Sequence, residues 1–469
     1  MTTSAHLEPP DLEDVLLRAT DPEAFEAWRA RAKATGWCRH PVRLVGSSSR
    51  VDTASGEVVS TFSSAQLPDR VLLKSCGYRR ATLCPSCSAT YQADAYQLLA
   101  AGLRGGKGVP DSVSNHPMVF ATLTAPGFGA VHTSRPTDTG AHGSCSHRLG
   151  SCPHGHPRSC ALIHEADDPA LGQPLCTECF DYRAAVLWNA HAGELWRRTT
   201  IAAYRALGAV TGLRRAEVRE AVRLSFSKVV EYQRRGCVHL HAVIRLDSAD
   251  DGDLPPPPFD VRLLVSAVTR TVGSISIPSQ STVGPTGPLR WGTQLDVQTI
   301  GGEGVIPKVV AGYLAKYATK STDPAGHLDR RLRKEDPANL DQDLSPHLAR
   351  MVRTAWELGG RPEYEHLRLR AWAHTLGFRG HWLTKSRRYS TTFAALRTCR
   401  REWNGSRPRT PPPRDGTAEF GQWNYSGRGW DTDGDGWLVE TAARAAIETR
   451  RASRLELRSA RQGDPDGRP

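Results

Sequence analysis

The chain has 469 residues, a formal net charge of +12, and 39% hydrophobic and 23% charged residues. This balance is ordinary for a soluble protein, and no run approaches the roughly 18 apolar residues of a transmembrane helix, so we predict no membrane-spanning segment. The basic excess favours a polyanionic partner such as nucleic acid. The N-terminus lacks a basic stretch followed by an apolar one, so we expect no signal peptide and a cytoplasmic protein.

The first elements in chain order are a helical lead, predicted over 1–35, and a zinc-knuckle module, predicted over 36–110. Short strands and cysteines characterise the module. The chain has eleven cysteines, an odd number without an export signal, which favours metal ligands over disulfides. A helix over 91–103 is expected to cap the module.

The zinc prediction for this module depends on a C-x-x-C knuckle. Cys84 and Cys87 carry two thiolates three residues apart, which can bind one tetrahedral ion from a tight turn. A structural zinc ion needs further ligands to complete its tetrahedron. Cys38 and Cys76 are the predicted ones, with His40 as an alternative to Cys38.

The central domain is predicted over 116–325, with a first strand at 117–124 and a zinc-binding insertion at about 140–182. The insertion has a second knuckle and more ligand-type residues than one zinc ion needs. These residues are Cys145, His147, Cys152, His154, His156, Cys160, His164, Cys176 and Cys179. The predicted zinc ligands are Cys152, Cys160, Cys176 and Cys179. His154 and His164 are alternatives to the first two, and the surplus leaves room for a second ion or for none.

A strand–turn–strand unit follows a long helix predicted over 181–207. Alternation over 237–247 predicts a strand with His239 and His241 on one face and apolar side chains on the other. Two imidazoles on one face of a sheet, backed by an apolar face, can hold a divalent metal. The strand therefore predicts a metal site.

The third ligand of this site depends on the turn after the preceding strand, predicted over 224–232. A three-residue loop, Arg234-Arg235-Gly236, with glycine in the left-handed position puts Glu231 opposite His239 and completes a His/His/Glu set. A two-residue loop puts Tyr232 opposite His239 instead, and the carboxylate then points away. The sequence leaves both loops open.

Three further elements complete the predicted domain: a helix over 259–272, a strand over 293–300 and a helix over 309–320. The last helix carries phenols and ammonium groups at i, i+3, i+4 and i+7, a stripe that core packing does not explain. The stripe consists of Tyr313, Lys316, Tyr317 and Lys320. The order β, α, β, β, α, β, α is what a ferredoxin-like antiparallel sheet requires, so we predict an α+β fold.

The last part of the chain is predicted to contain a helical basic DNA-binding region over 326–401 and a largely disordered tail over 402–469, with a helical stretch near 439–459. Residues 366–401 include nine Lys and Arg and no acidic residue. Basic groups contact phosphates and aromatic rings stack on bases, although a solvated charged helix is the alternative. The interleaved aromatic residues are Trp372, Phe378, Trp382, Tyr389 and Phe393.

Three motifs resemble those of the histidine-hydrophobic-histidine (HUH) endonucleases that initiate rolling-circle replication. H-L-H at 239–241 matches their metal motif, Y-L-A-K-Y-A-T-K at 313–320 looks like their two-tyrosine motif, and F-A-T-L-T-A-P at 120–126 matches the strand motif that precedes both. More closely, residues from about Cys38 to Arg400 resemble the replication initiators of actinomycete plasmids and integrative elements. The runs L-C-T-E-C-F-D-Y-R-A-A-V-L-W-N and L-G-F-R-G-H-W-L-T-K-S-R-R-Y-S carry much of that likeness.

The resemblance implies an HUH-type ferredoxin-like sheet and a nickase that forms a 5′-phosphotyrosine and frees a 3′-hydroxyl at an origin. Tyr317 would be the first nucleophile, because related plasmid initiators carry glutamate at the position of Tyr313; alternatively, Tyr313 only packs or positions DNA. Lys316 and Lys320 would stabilise the developing phenolate. Mixed nitrogen and oxygen ligands suit Mg²⁺ or Mn²⁺, and thiolates suit zinc.

The expected partners are single- and double-stranded origin DNA and a host helicase. No Walker A motif occurs, so we expect no nucleotide cofactor and no fused motor. One alternative function is a conjugative relaxase or transposase of the same chemistry. Another is a non-enzymatic zinc-knuckle DNA-binding regulator in which the H-L-H strand is structural. A covalent protein–DNA product separates the enzymatic functions from the last one.

Overall fold

A computed structural model describes residues 13, 15–16 and 20–462, apart from 68, 137–141, 144, 251–253, 279–286, 321–330, 339, 341–343 and 405–415. The helices are α1 (Pro22–Ala34), α2 (Pro85–Arg104), α3 (Tyr182–Thr211), α4 (Arg215–Ala221), α5 (Val261–Ser274), α6 (Pro307–Lys320), α7 (Pro346–Leu358), α8 (Phe393–Asn404) and α9 (Asp433–Gln462). The strands are β1 (Val42–Asp52), β2 (Val58–Ser63), β3 (Leu72–Lys74), β4 (Met118–Leu123), β5 (Arg135–Pro136), β6 (His142–Gly143), β7 (Ser146–Ser151), β8 (Pro157–Cys160), β9 (Val222–Tyr232), β10 (Val238–Ser248), β11 (Ser276–Ile277), β12 (Leu289–Arg290), β13 (Leu295–Thr299), β14 (Leu383–Lys385) and β15 (Thr417–Arg428).

The chain forms two compact units. The central unit is Tyr96–Thr392, and the terminal unit combines Thr2–Ala95 with Phe393–Pro469. Each unit contains an antiparallel sheet together with helices, so the predicted α+β class is confirmed. None of the helices in the described ranges has both the length and the apolar character needed to cross a membrane.

The central unit is built on a five-stranded antiparallel sheet in the order β13-β4-β10-β9-β14. Its middle strand, β10, alternates between histidines and apolar residues over its first half. Leu240 and Ala242 belong to the main buried core, to which α3 contributes Trp188 and α5 contributes Leu264. Because side chains alternate along a strand, this packing directs His239 and His241 to the other face.

The β9–β10 hairpin has a three-residue turn. Gly236 has a φ of +76°, a left-handed conformation that glycine adopts without the steric cost of a Cβ. The amide of Gln233 donates to the carbonyl of Cys237 at 2.9 Å, and Glu231 lies directly opposite His239. The two-residue alternative is excluded, and the predicted register that brings the carboxylate to the histidine face is confirmed.

The hairpin turn is held from helix α3 by the fully buried Asn189. Its side-chain nitrogen donates to the carbonyls of Gly236 and Leu376 at 2.9 Å each, and its Oδ1 accepts from the amide of Val238 at 2.9 Å. A buried amide needs such partners, since an unsatisfied polar group is costly. The core helix therefore fixes the start of the histidine strand.

The terminal unit corrects the prediction for the tail. Its sheet has the order β15-β1-β2, with β3 also paired to β1. β15 pairs along the whole of β1, from Val42 opposite Arg428 to Asp52 opposite Thr417. The predicted disorder is therefore wrong for residues 417–428, and the helix α9 is longer than expected. Composition misled the prediction because the pairing partner lies near the other end of the sequence. Residues 405–415 and 463–469 lie outside the described part.

The predicted basic helical region also needs correction, because residues 383–385 form an edge strand, β14, paired with β9. Phe378 and Tyr389 are 2% and 0% exposed, so these rings are core residues and cannot stack on bases. Arg379, Arg387 and Arg388 are exposed. The segment thus contributes to the fold and presents cations on its surface.

Candidate active site and metal-type clusters

The two histidines of β10 and a glutamate of β9 meet on one face of the central sheet. Nε2 of His241 lies 3.6 Å from Oε2 of Glu231, and the rings of His239 and His241 are 4.6 Å apart. His241 is buried, whereas 21% of the Glu231 side chain is exposed. The three predicted ligands therefore share one small, partly accessible surface.

Two threonines, one in the neighbouring strand β4 and one directly after it, orient these imidazoles. Oγ1 of Thr122 lies 3.2 Å from Nδ1 of His241, and Oγ1 of Thr124 lies 3.2 Å from Nδ1 of His239. An imidazole that donates Nδ1–H to a hydroxyl keeps the lone pair of Nε2 for a metal. The sequence pointed to F-A-T-L-T only as a motif. Its alternation of threonine with Ala121 and Leu123 was the signal for this polar face.

The turn next to the site affects its charge state. Burial, with contributions from His241 and Arg235, lowers the pKa of His239 to about 3, so this imidazole is neutral at neutral pH, as a metal ligand must be. The guanidinium of Arg235 donates to the carbonyls of Ala125 and Pro126 at 2.7 Å each. Arg235 therefore links the hairpin turn to the loop after β4, a role that its position in a turn did not reveal.

The donors at this site, two imidazoles and one carboxylate, form a mixed nitrogen and oxygen set that suits Mg²⁺ or Mn²⁺ better than the thiolate clusters do. The ligand atoms of His239, His241 and Glu231 do not all lie within 4.8 Å of one another. They are therefore spaced more widely than the ligand atoms of the cysteine clusters described below. Magnesium sites commonly use one or two carboxylates and take further ligands from substrate phosphates. The donor set therefore fits an ion that binds together with a phosphate.

Helix α6 places both tyrosines beside the histidines. The hydroxyl of Tyr313 lies 3.4 Å from Nε2 of His241, and the ring of Tyr317 is 5.5 Å from the His241 ring. The two phenol rings are 4.4 Å apart, and Phe120 contacts Tyr313 edge-on at 5.9 Å. Burial, the Tyr317 hydroxyl and Glu231 raise the pKa of Tyr313 above its ordinary value.

The helix predicted for this segment is present. α6 begins at Pro307 and ends at Lys320, and its apolar side packs inward through Leu314, Ala315 and Ala318. Lys316 is exposed on the same helix, and the side chain of Lys320 lies outside the described part of the structure. The helix therefore directs the tyrosines to the site because the opposite side of the same helix is buried.

The terminal unit brings four cysteines together. The sulfurs of Cys38, Cys76, Cys84 and Cys87 all lie within 4.8 Å of one another, and His40 is not in the group. Cys76 and Cys87 sulfurs are 3.6 Å apart, and those of Cys84 and Cys38 are 3.9 Å apart. The two sulfurs of a disulfide would be about 2.05 Å apart. The observed distances instead match the edge of about 3.8 Å in a tetrahedron with Zn–S bonds of about 2.3 Å.

Among the described residues of the insertion and the segment just before it, two metal-type clusters occur, and their membership corrects the predicted ligand set. One consists of Cys152, His154, Cys176 and Cys179; the other consists of His132, Cys145, Cys160 and His164. Cys160 does not join the second knuckle because β8 pairs it with Ser146, beside Cys145. His154 takes the place predicted for Cys160. The sequence analysis missed His132 because it precedes the cysteine-rich run.

Comparison with known proteins identifies the family. Residues 24–444 match the model of a family described as replication initiator protein, pSAM2. The chain belongs to this family of replication initiators. A replication initiator protein from Streptomyces ambofaciens is 38% identical over an alignment of 478 positions, which covers 98% of each chain. No solved structure matches the chain.

The family match supports the predicted resemblance to replication initiators, which is confirmed. It begins in α1 and ends in α9 of this replication initiator, so it includes the cysteine clusters, the histidine strand and β15. The segment predicted as a tail therefore belongs to the region that matches the family.

Proposed function

We propose that this replication initiator nicks one strand of origin DNA by attack of a tyrosine of α6 on the scissile phosphate. The observation that carries the proposal is the contact of Tyr313 with His241, whose Nε2 also faces Glu231. Segments far apart in the sequence thus bring phenols and metal-type ligands to one surface. A purely structural role for the histidines gives no reason for two phenols at this place.

The topology of the central sheet supports an HUH-type, ferredoxin-like architecture as part of this proposal. β4, α3, β9, β10, α5 and β13 follow the β-α-β-β-α-β order of that fold. The histidine strand, β10, lies between β4 and β9, so hydroxyls from one neighbour and a carboxylate from the other reach its histidines.

In this proposal His239, His241 and Glu231 hold Mg²⁺ or Mn²⁺, which when bound withdraws charge from a non-bridging phosphate oxygen. The phenol oxygen bonds to phosphorus as the bond between phosphorus and the 3′ oxygen breaks. The phenol releases its proton, and the 3′ oxygen accepts one. The products are a 5′-phosphotyrosine and a 3′-hydroxyl that primes synthesis. No nucleotide cofactor is needed, because the new ester replaces the phosphodiester that is lost.

Two adjacent phenols suit a cycle with two transfers. Tyr317 is proposed as the first nucleophile and Tyr313 as the second, which attacks the regenerated junction while the first holds the 5′ end. The separation of 4.4 Å between their rings lets both reach one phosphate position. Lys316 and Lys320 are proposed to stabilise the developing phenolates.

The remaining features of the chain have supporting roles in the proposal. One zinc ion is proposed to bind the four cysteines of the terminal unit, and another is proposed to bind the knuckle cluster of the insertion, which consists of Cys152, His154, Cys176 and Cys179. The exposed arginines of 379–388 are proposed to contact DNA phosphates. Single- and double-stranded origin DNA are the proposed partners, and a host helicase is proposed to unwind the template, since the sequence contains no Walker A motif.

A denaturing gel tests the nicking proposal, because a 5′-phosphotyrosine bond survives denaturation. Full-length protein incubated with single-stranded origin DNA and Mn²⁺ should give a slower band, and peptide mapping should place the adduct in α6. Changing both Tyr313 and Tyr317 to Phe should remove every covalent product. Phe at one position should leave single nicks but block the complete nick-and-rejoin cycle.

Tyr425→Phe is a matched control, since this tyrosine is 69% exposed in the terminal unit. It should leave adduct formation unchanged. An adduct that persists in the double variant would place the nucleophile elsewhere. If the wild-type protein forms none on any origin fragment, the chain binds origin DNA without cutting it, as the regulator alternative requires. Cleavage at a transfer origin or transposon end would favour the relaxase or transposase alternative.

A further inference from the structure

We propose that His132, Cys145, Cys160 and His164 form a zinc site of their own, separate from both knuckle clusters, which anchors the insertion to the hairpin turn of the active-site strands. Their four ligand atoms all lie within 4.8 Å of one another. Cys145, Cys160 and His164 are buried, and His132 is half-buried. Two thiols and two imidazoles in this arrangement form the Cys₂His₂ donor set of structural zinc sites.

The distances between the donors agree with one tetrahedral ion. Sγ of Cys160 lies 3.5 Å from Nε2 of His164, and Sγ of Cys145 lies 3.8 Å from Nδ1 of His132. With Zn–S bonds of about 2.3 Å and Zn–N bonds of about 2.05 Å, a tetrahedron separates sulfur from nitrogen by about 3.5 Å. The two imidazole nitrogens are 3.0 Å apart, close to the corresponding value of about 3.3 Å.

The surroundings of the donors are those of metal ligands. Nδ1 of His164 lies 2.6 Å from Oδ2 of Asp168, a carboxylate–histidine pair that fixes the tautomer and leaves Nε2 as the ligand. The amide of Thr133 donates to Sγ of Cys145 at 3.2 Å, which stabilises a thiolate. Packing of neutral side chains requires neither contact.

The site connects the insertion to the turn that sets the register of the histidine strand. The guanidinium of Arg234, in that turn, donates to the carbonyl of Asp168 at 2.9 Å. The amide of Gly172 donates to the carbonyl of His132 at 2.9 Å, and a Cβ at Gly172 would lie 2.5 Å from the backbone of Arg234. Residues 164–172 thus pack against the hairpin turn through Asp168 and Gly172. An ion that binds both His132 and His164 therefore holds the first residue of this segment directly and the last through the hydrogen bond from Gly172 to His132.

Zinc content, measured by plasma mass spectrometry on the full-length protein, tests the proposal. Three zinc ions per chain are expected in the wild type, one for each cluster. The double variant His132→Ala, Cys145→Ser should contain two. Cys399→Ser is the matched control, because this cysteine is exposed and belongs to none of the clusters, and it should retain three.

A second experiment covers the case in which the double variant does not fold. Asp168→Asn keeps a side chain of the same size but removes the charge beside His164. It should release one zinc ion to a chelator at least about ten times faster than the wild type, with Cys145 and Cys160 becoming alkylated as that ion leaves. The release of the other two ions should not change.

Native alkylation mapping of the wild type gives the overturning result. The proposal fails if Cys145 and Cys160 react as fast as Cys399 while two zinc ions remain bound, since the two imidazoles then share only a hydrogen bond. It also fails if the double variant retains the wild-type zinc content. If the wild-type protein contains no zinc, this proposal fails, and so do the zinc sites proposed for the two knuckle clusters. The tyrosine adduct experiment tests the nicking proposal independently of all three zinc sites.

Discussion

Single hydroxyl groups set the orientation of the histidine pair. Thr122 and Thr124 each place an oxygen 3.2 Å from the Nδ1 of one histidine; Thr122 belongs to β4, the strand that pairs with the histidine strand, and Thr124 directly follows it. The tautomer that exposes Nε2 depends on this contact, because each Nδ1–H needs an acceptor. The threonines are therefore positioning residues for the proposed ion.

Replacing Thr122 or Thr124 by Val removes the acceptor while keeping the shape of the side chain. Nicking is expected to fall by about 10- to 100-fold, with partial recovery at high Mn²⁺, because outer contacts of this kind change metal affinity by that factor. The rate of nicking as a function of Mn²⁺ concentration checks this. Thr→Ser at the same positions retains the hydroxyl and should stay close to wild type; equal losses for Ser and Val would show that the hydroxyls do not matter.

At the scale of elements, the β9–β10 turn decides which side chain faces His239. The turn is fixed by the left-handed Gly236, by Asn189 of α3 and by the packing of α7 on the glycine. A Cβ at Gly236 would clash with Sδ of Met351 and lie 3.2 Å from a methyl carbon of Leu348. The glycine is therefore required both by its backbone conformation and by a close helix.

Gly236→Ala should lower stability by about 1–3 kcal/mol, from strain at positive φ and from the clash with α7. Thermal unfolding of the full-length protein measures the change, and the nicking rate should fall because the strand register moves with the turn. Gly212→Ala is the control: Gly212 has the same φ of +76°, but a Cβ there meets nothing within 4 Å. Equal shifts for the two variants would contradict a specific role for the α7 contact.

At the scale of the whole molecule, the terminal unit is assembled from both ends of the chain. β15 pairs with β1, and Val439 of α9 packs in a small core with Trp28 and Ala32 of α1. The indole of Trp430 donates to the carbonyl of Cys38 at 3.0 Å, so the C-terminal segment also touches the four-cysteine cluster. The N-terminal module therefore depends on residues after 416.

A chain ending at Asn404 should lose the fold of its N-terminal module. Without β15, β1 has an unpaired edge, and the Trp28 core loses its partner. Limited proteolysis within residues 20–95 is expected to accelerate by at least about tenfold, on the scale that loss of a few kcal/mol produces, and one zinc ion should be lost. A chain ending at Gln462 is the control and should behave as wild type. Identical protease patterns for the two truncations would mean that the C-terminal segment is dispensable.

The sequence by itself determined the local features of this protein. Alternation placed His239 and His241 on one face, and helical spacing placed Tyr313 and Tyr317 on one stripe, whereas the three-residue loop that brings Glu231 into register was one of two that the sequence left open. These predictions hold because strand and helix periods relate residues only a few positions apart. The order of the strands and helices was likewise enough for the α+β class.

Only the tertiary structure decided which elements meet. It assigned Cys160 to a cluster with His132 rather than to the knuckle, paired β15 with β1, and buried Tyr389 beneath the guanidinium of Arg245. Periodicity shows which face of an element is polar or apolar, but it does not identify the partner of that face. Ligand-type residues with similar spacing are distinguished only when the backbone brings their donor atoms within bonding distance of one ion, and that depends on strand pairing between distant parts of the chain.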